Sequence, residues 1–320
     1  MKQELVKRVE GIINKIDANE PEIILQLKKI VREYEMINYS NASSRILSLL
    51  YAGNLKSLNQ NESVGLVKSG FADFDIKFGG FSLGEFVVLG GRPSMGKTQL
   101  LVNLCKNISK STPVLYFTLG LSERMLTNRF MSSLANIPID QIVQNNLSDH
   151  EKSKLSSLEK IAQEFHLYIN DSEYDSISAF KAHCQEQIKS NDVKVIIVDC
   201  LQSIKSRIDG KKSNITASAL INELKGLVRE HNVLVIAASQ LNKTLEIRGG
   251  DKRPQLNDLT DSGLLEEVAD KVIFIYRAEY YSITIDEDGR STRGVAELMM
   301  VKNRNGKVGR VELLRDINFR

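Results

Sequence analysis

The sequence predicts an α/β fold: a mostly parallel sheet with helices on both faces, an antiparallel hairpin at the end, and a short helical segment in front. Three observations carry this. From Gly65 onward, short β-branched apolar runs alternate with longer stretches of helical periodicity. One strand-to-helix junction, beginning at Gly91, is rich in glycine. The last two strand-like runs flank Asn305-Gly306, a hairpin-turn dipeptide.

Residues 1 to about 60 place apolar side chains at helical spacing: Leu5, Val9, Ile12 and Ile13, then Ile23, Ile24, Leu27, Ile30 and Val31. A second helical stretch, Ser44 to about Leu55, follows the polar break Asn38-Tyr39-Ser40-Asn41. These helices read equally as a small bundle packed on the main domain or as an arm that docks a partner. Asn59 to Ser63 is polar and reads as a linker, so the expected domains are 1–60 and 61–320. In the second, the expected strands are Phe86–Leu89, Val114–Leu119, Leu167–Ile169, Val195–Val198, Val233–Ala238 and Val272–Tyr276. Helical stretches lie between them near 98–110, 122–135, 148–164, 176–189 and 214–231. Continuous apolar strands separated by helices define a parallel sheet covered on both faces. Gly294–Val301 and Val308–Leu314 supply the closing antiparallel edge.

The chain has 320 residues, 42% hydrophobic and 26% charged, which excludes wholesale disorder. Lys plus Arg total 43 against 40 acidic residues, a net of +3. Bulk charge therefore implies no nucleic-acid binding, and any such contact must come from a local patch. Cys105, Cys184 and Cys200 are odd in number and lack metal-ligand spacing, which argues against a disulfide framework and a zinc site. The charged start has no secretory signal, and no apolar run approaches the roughly 20 residues needed to span a bilayer. A soluble, reduced, cytoplasmic protein without membrane contact is expected.

The motif that fixes the chemistry is Gly91-Arg92-Pro93-Ser94-Met95-Gly96-Lys97-Thr98, a match to G-x-x-x-x-G-K-[ST] between a strand and a helix. Glycines let successive backbone N–H groups converge on a phosphate, and the helix N-terminus adds partial positive charge. Lys97 would reach the β- and γ-phosphates and the Thr98 hydroxyl would coordinate Mg²⁺. Gly91, Ser94, Met95, Gly96, Lys97, Thr98 and Gln99 are the candidate contacts to a nucleotide. A plain strand-to-helix turn is the alternative, against which Lys97 counts, because a lysine buried there is costly without an anion.

A second apolar strand, Val195-Ile196-Ile197-Val198, ends in Asp199. An acid at such a tip, downstream of a P-loop, is the arrangement that brings a carboxylate to the Mg²⁺ water shell; a turn-capping Asp is the plainer reading. The next strand ends in Ser239-Gln240-Leu241-Asn242, where Gln240 either senses the γ-phosphate or satisfies backbone at a strand end. Tyr280 and Tyr281 follow Arg277; Tyr281 is a candidate adenine contact, with rim or core packing as the alternative.

Together these residues resemble the RecA-like motor domain of DnaB-type replicative helicases, from about Val67 to about Leu314. The resemblance rests on Ser69-Gly70-Phe71 with Asp73-Phe74-Asp75, on Gly79-Gly80-Phe81, on the Arg-Pro-Ser-Met filling of the P-loop, and on Asp199-Cys200-Leu201-Gln202. Further matches are Ser239-Gln240-Leu241-Asn242, Asp251-Lys252-Arg253-Pro254, Asp261-Ser262-Gly263 and Lys302-Asn303-Arg304-Asn305-Gly306. It implies a RecA-like P-loop NTPase that uses ATP and Mg²⁺ at the interfaces of a hexameric ring moving on single-stranded DNA, with replication proteins among its partners. In that picture Gln240 couples hydrolysis to DNA loops, and Arg304 with Lys302 reaches into a neighbour's site; an exposed basic strand beside a turn is the alternative.

Three departures stand out. Gly120 occupies the place of the family's water-orienting glutamate; Glu123, three residues on, would substitute only if the loop were rebuilt. Thr260 replaces a basic residue before Asp261-Ser262-Gly263, leaving Lys243, Arg248, Lys252, Arg253, Ser262 and Gly263 as candidate DNA contacts, to backbone only. The family's collar domain has no counterpart in the roughly 60 residues before the motor, which leave room for the linker helix and one more. Two functions follow: an ATP-driven DNA helicase or translocase, or a nucleotide-binding, hydrolysis-impaired paralogue that loads, regulates or assembles with a helicase.

Overall fold

The computed structural model describes residues 65–174, 176–203, 217–248, 252–260, 262–286 and 288–314, within a compact unit that begins at Gly65. The helices expected over residues 1 to 60 lie outside the described residues, as does Asp261.

The unit opens with β1 (Leu66–Val67), α1 (Ala72–Phe78) and β2 (Phe81–Ser82), three short elements not expected from the sequence. β1 and β2 pair antiparallel, and Phe74 and Phe81 meet 5.4 Å apart beneath them. Then comes β3 (Phe86–Gly91), which feeds α2 (Lys97–Ile108) and β4 (Val114–Thr118). Three helices follow, α3 (Glu123–Ala135), α4 (Ile139–Gln144) and α5 (Asp149–Ala162), of which α4 was not expected. The middle of the unit is β5 (Leu167–Asn170), α6 (Ile177–Ser190), β6 (Val195–Asp199), α7 (Ala217–His231) and β7 (Leu234–Gln240). It ends with α8 (Thr244–Ile247), α9 (Ser262–Val268), β8 (Lys271–Tyr276), β9 (Val295–Asn303) and β10 (Gly309–Leu314).

The eight long strands form one sheet in the order β10-β9-β8-β3-β7-β6-β4-β5. The six from β8 to β5 are parallel, and β9 and β10 add antiparallel. Period-two alternation divides β3 between two cores: Val87 and Leu89 pack with Leu100, Leu101 and Leu104 of α2. Phe86 and Val88 pack on the other face with Phe180 of α6 and Leu220 and Leu224 of α7. Burial on both faces explains why these strands read as unbroken apolar runs.

The closing hairpin differs from expectation at its turn. Pairing starts at Met300 with Gly309, and neither Asn305 nor Gly306 takes a positive φ. A tight type I′ turn needs φ > 0 at both central residues, so the chain makes a longer loop, in which Asn303 Nδ2 donates to the Lys307 carbonyl at 3.0 Å.

This topology positions the site. β3 lies centrally between β7 and β8, and the chain leaves it for β4, three strands away. Crossovers that depart in opposite directions open a crevice at the carboxyl ends of the strands, where α/β sheets bind ligands. The loop 92–96 opens there.

Candidate functional site

Gly91 is the last residue of β3, and close approach explains its identity. A Cβ there would lie 2.7 Å from Ile275 Cγ2 and 3.1 Å from Lys97 Cγ. The loop then turns through Ser94 at φ 63 and Gly96 at φ 100, both left-handed, before α2 starts at Lys97. Gly96 meets that requirement without steric cost; Ser94 is held from outside, its carbonyl accepting from Arg277 Nη1 at 3.2 Å. Met95 sends its side chain into the core at 1% exposure, so its backbone alone is left to meet a ligand.

Lys97 curls over the loop: its Nζ donates to the carbonyls of Gly91 at 2.8 Å and Arg92 at 3.1 Å. Burial pushes its ammonium below the usual lysine range, with Cys200 and Asp199 opposing. Asp199, at the end of β6, is 8% exposed. Burial pushes its carboxyl up, while hydrogen bonds from Thr98 and Tyr116 and the charge of Lys97 pull it back. The Thr98 hydroxyl and the Asp199 carboxylate thus meet. An oxygen-only pair of this kind suits a hard divalent cation, and an acid this buried is short of positive charge. Thr98 and Asp199 therefore fit Mg²⁺, which would shield the phosphates. One helical position on, Gln99 is buried, and its Nε2 finds no hydrogen-bond partner among the described residues.

Gln240 pairs with Gly91 in register, so it stands beside the loop. Its backbone N–H donates to Gln202 Oε1 at 3.0 Å, and its carbonyl accepts from the Thr260 N–H at 3.2 Å. Its side-chain Nε2 is 4.0 Å from Cys200 Sγ.

Several contacts were invisible in the sequence because their partners are far apart along the chain. Arg92, 7% exposed, makes a fork to Glu246 with Nε at 2.9 Å and Nη2 at 2.6 Å, and its Nη1 donates to the Leu241 carbonyl at 2.7 Å. Leu241 bridges to Leu259, and Asn242 N–H donates to the Asp258 carbonyl at 2.7 Å. The P-loop is thereby strapped to the segments that follow Gln240 and precede residue 261. Tyr281 stacks on Tyr276 at 5.9 Å. Burial pushes its hydroxyl up to about 12, with nearby Glu246 adding to the effect and Arg92 opposing it. That hydroxyl has no hydrogen-bond partner among the described residues.

Gly120 is exposed, two residues beyond the end of β4, and Glu123 begins α3, exposed, its N–H donating to Asp171 Oδ2 at 2.9 Å. Of the basic residues after Gln240, Arg248 pairs with Asp258 at 3.0 Å. Arg253 forks onto Glu297 at 2.8 and 3.1 Å, and Lys252 donates to the Glu246 carbonyl at 3.0 Å; Lys243 is exposed. Ser262 and Gly263 open α9, with Gly263 exposed.

Lys302 and Arg304 are not brought to this chain's P-loop. Lys302 pairs with Val272 near the start of β8, and the Arg304 N–H donates to the Asp270 carbonyl at 2.9 Å, beside Phe86. That is the opposite edge of the sheet, roughly 15 Å or more from Gly91 at about 3.3 Å per residue. Lys302 donates to the Glu266 carbonyl, and Arg304 contacts the Glu267 carbonyl and Asp270 Oδ1, the latter at 3.3 Å.

A mostly parallel sheet with a phosphate-shaped loop at its central strand β3 and an acid at the tip of β6, one strand beyond the adjacent β7, defines a RecA-like P-loop nucleotide-binding domain. The model of the DnaB-like helicase C terminal domain matches residues 66–319, and the chain belongs to that family. It is 35% identical to replicative DNA helicase DnaB of Haemophilus influenzae over 264 residues, 81% of this chain and 55% of that protein. With the Rickettsia felis DnaB it shares 29% over the whole chain and 71% of that protein. The chain thus spans little more than half the length of some of the curated relatives it matches. Among solved structures, an isolated ATPase domain aligns at TM-score 0.72 and 26% identity, over 88% of this chain and 98% of that one. A DnaB-like replicative helicase studied with primase aligns at 0.70 and 25%, over 99% and 75%. Among the described residues no helix is long and apolar enough to cross a membrane.

Proposed function

We propose that this chain is the motor of a DnaB-type helicase: it binds ATP with Mg²⁺ at the P-loop, hydrolyses it, and uses the cycle to move along single-stranded DNA. One observation carries this reading above the others: Lys97, Thr98 and Asp199 converge at the mouth of β3 and β6, with hydrogen bonds and charge linking all three. Lys97 would exchange its loop carbonyls for phosphate oxygens, and Thr98 and Asp199 would hold the cation that shields them.

Gln240 and Arg92 supply a route from that site to the rest of the molecule, since both contact the segments around residues 241–260. A lost γ-phosphate would be felt there first. Arg304 is too far from its own P-loop to act on it, so its part would be played in a neighbouring copy, which makes self-association, as a hexameric ring, part of the proposal. An arginine supplied in this way is worth about 10³–10⁵ in rate. Replication proteins are the expected company of such a motor, and the location expected of it is the cytoplasm.

The second reading, a hydrolysis-impaired paralogue that loads or regulates a helicase, draws on Gly120 and Thr260 and is not the one the relatives favour. Steady-state ATP hydrolysis with and without single-stranded DNA separates the two. Turnover that rises with DNA and vanishes in Lys97→Ala supports the motor. Tight nucleotide binding with no turnover under either condition would overturn it.

A further inference from the structure

Tyr116 is an unusual presence in the middle of β4. Its neighbours along the strand and across it, Leu115, Phe117, Ile169 and Ile197, are aliphatic or aromatic without a polar tip. Tyr116 is 0% exposed and sits edge-on to Phe130 of α3 at 6.4 Å. A hydroxyl so buried needs a partner, and its partner is Asp199 Oδ2 at 3.1 Å. The sheet register makes this possible. Thr118 pairs with Asp199, so Tyr116, two residues earlier, shares their face and reaches the carboxylate along the diagonal. A phenylalanine would fill the same space without touching Asp199 by a hydrogen bond.

We propose that Tyr116 is a positioning residue for Asp199: by holding Oδ2 from within the sheet, its hydroxyl fixes the plane of the carboxylate so that it meets Thr98 and the nucleotide's divalent cation in one orientation. The inference rests on the nucleotide reading above and deepens it. A carboxylate offers about four lone-pair positions, so one bond from Tyr116 and one from Thr98 leave acceptor capacity for a hydrated cation. A phenol hydroxyl carries one proton to donate, and Asp199 Oδ2 lies within its reach. Charge-assisted bonds of this type are stronger than neutral ones and set geometry.

The test is ADP binding to the full chain by titration calorimetry, once with saturating Mg²⁺ and once in EDTA. Tyr116→Phe keeps the ring packed on Phe130, so the metal-free measurement also reports an intact P-loop. The expected result is a three- to tenfold loss of ADP affinity with Mg²⁺, a higher Mg²⁺ midpoint, and metal-free affinity within about twofold of wild type. In an Asp199→Asn background the same substitution should cost nothing further, since the group it orients has lost its charge. Equal losses with and without Mg²⁺, an unchanged Mg²⁺ midpoint, or the same loss in the Asp199→Asn background would show a tyrosine that merely fills the core, and would overturn the proposal. Wild-type chain that binds no ADP under either condition would instead overturn the nucleotide reading itself.

Discussion

At position 120, where the family resemblance implies a water-orienting glutamate, the structure leaves room for a side chain. Among the described residues a Cβ there would meet only Ser203 Oγ, at 3.5 Å, an ordinary contact, and φ is not in the left-handed range. Gly120→Glu therefore fits the backbone as it stands. A positioned general base contributes about 10²–10⁴ in rate, so the substitution is expected to raise steady-state ATP turnover by about 10²-fold; unchanged turnover would show that the attacking water is activated from another side chain. At this scale, what the sequence made legible was chemistry written in adjacent residues. The P-loop and Asp199 were readable because phosphate and metal binding demand fixed residue types at fixed local spacing. The Arg92–Glu246 fork and the Tyr116–Asp199 bond were not readable, because their partners lie 154 and 83 positions apart and only the sheet order joins them. The carboxylates that Arg248 and Arg253 pair with, Asp258 and Glu297, were not readable either.

The elements were legible in proportion to their length. Strands buried on both faces announce themselves as apolar runs, whereas α1, α4 and the two-residue strands β1 and β2 are too short for periodicity to show. β8 illustrates a boundary error with a cause. The strand is expected from Val272; it starts at Lys271, a lysine that is buried because Glu85 Oε2 lies 2.7 Å from its Nζ and the Gly80 carbonyl accepts at 3.0 Å. Next to it, Asp270 ties several groups together at the lower edge of the sheet. Its Oδ2 accepts from the Phe86 N–H at 2.8 Å and from Lys225 Nζ at 2.5 Å, Oδ1 faces Arg304, and its carbonyl holds the Arg304 N–H. Lys225 is only 9% exposed, and stripping a buried charge of its partner costs about 3–5 kcal/mol. Asp270→Ala is expected to lower unfolding stability by that amount in urea or thermal melts; a loss under about 1 kcal/mol would mean that water already serves Lys225.

For the whole molecule, the placement of Arg304 opposite the P-loop separates two properties that would otherwise move together. On the proposed trans role, in which a second copy brings Arg304 to a phosphate, nucleotide affinity of a single chain should be indifferent to Arg304 and turnover should depend on it. Arg304→Ala is expected to leave ADP binding within about threefold of wild type, to cut ATP turnover by about 10³-fold, and to weaken the shift to larger species that light scattering detects when a non-hydrolysable ATP analogue and Mg²⁺ are added. A wild-type chain that stays monomeric across analogue and protein concentration would remove the trans role. All of this depends on phosphate occupying the bend ahead of Thr98, and binding of Mg·ADP to wild type and Lys97→Ala, side by side, measures that most directly. Wild type should bind one nucleotide per chain saturably, and loss of the Lys97 ammonium should weaken that binding at least about 100-fold, roughly 2.7 kcal/mol. No binding at millimolar nucleotide, or binding that ignores the substitution, would contradict phosphate occupying that bend.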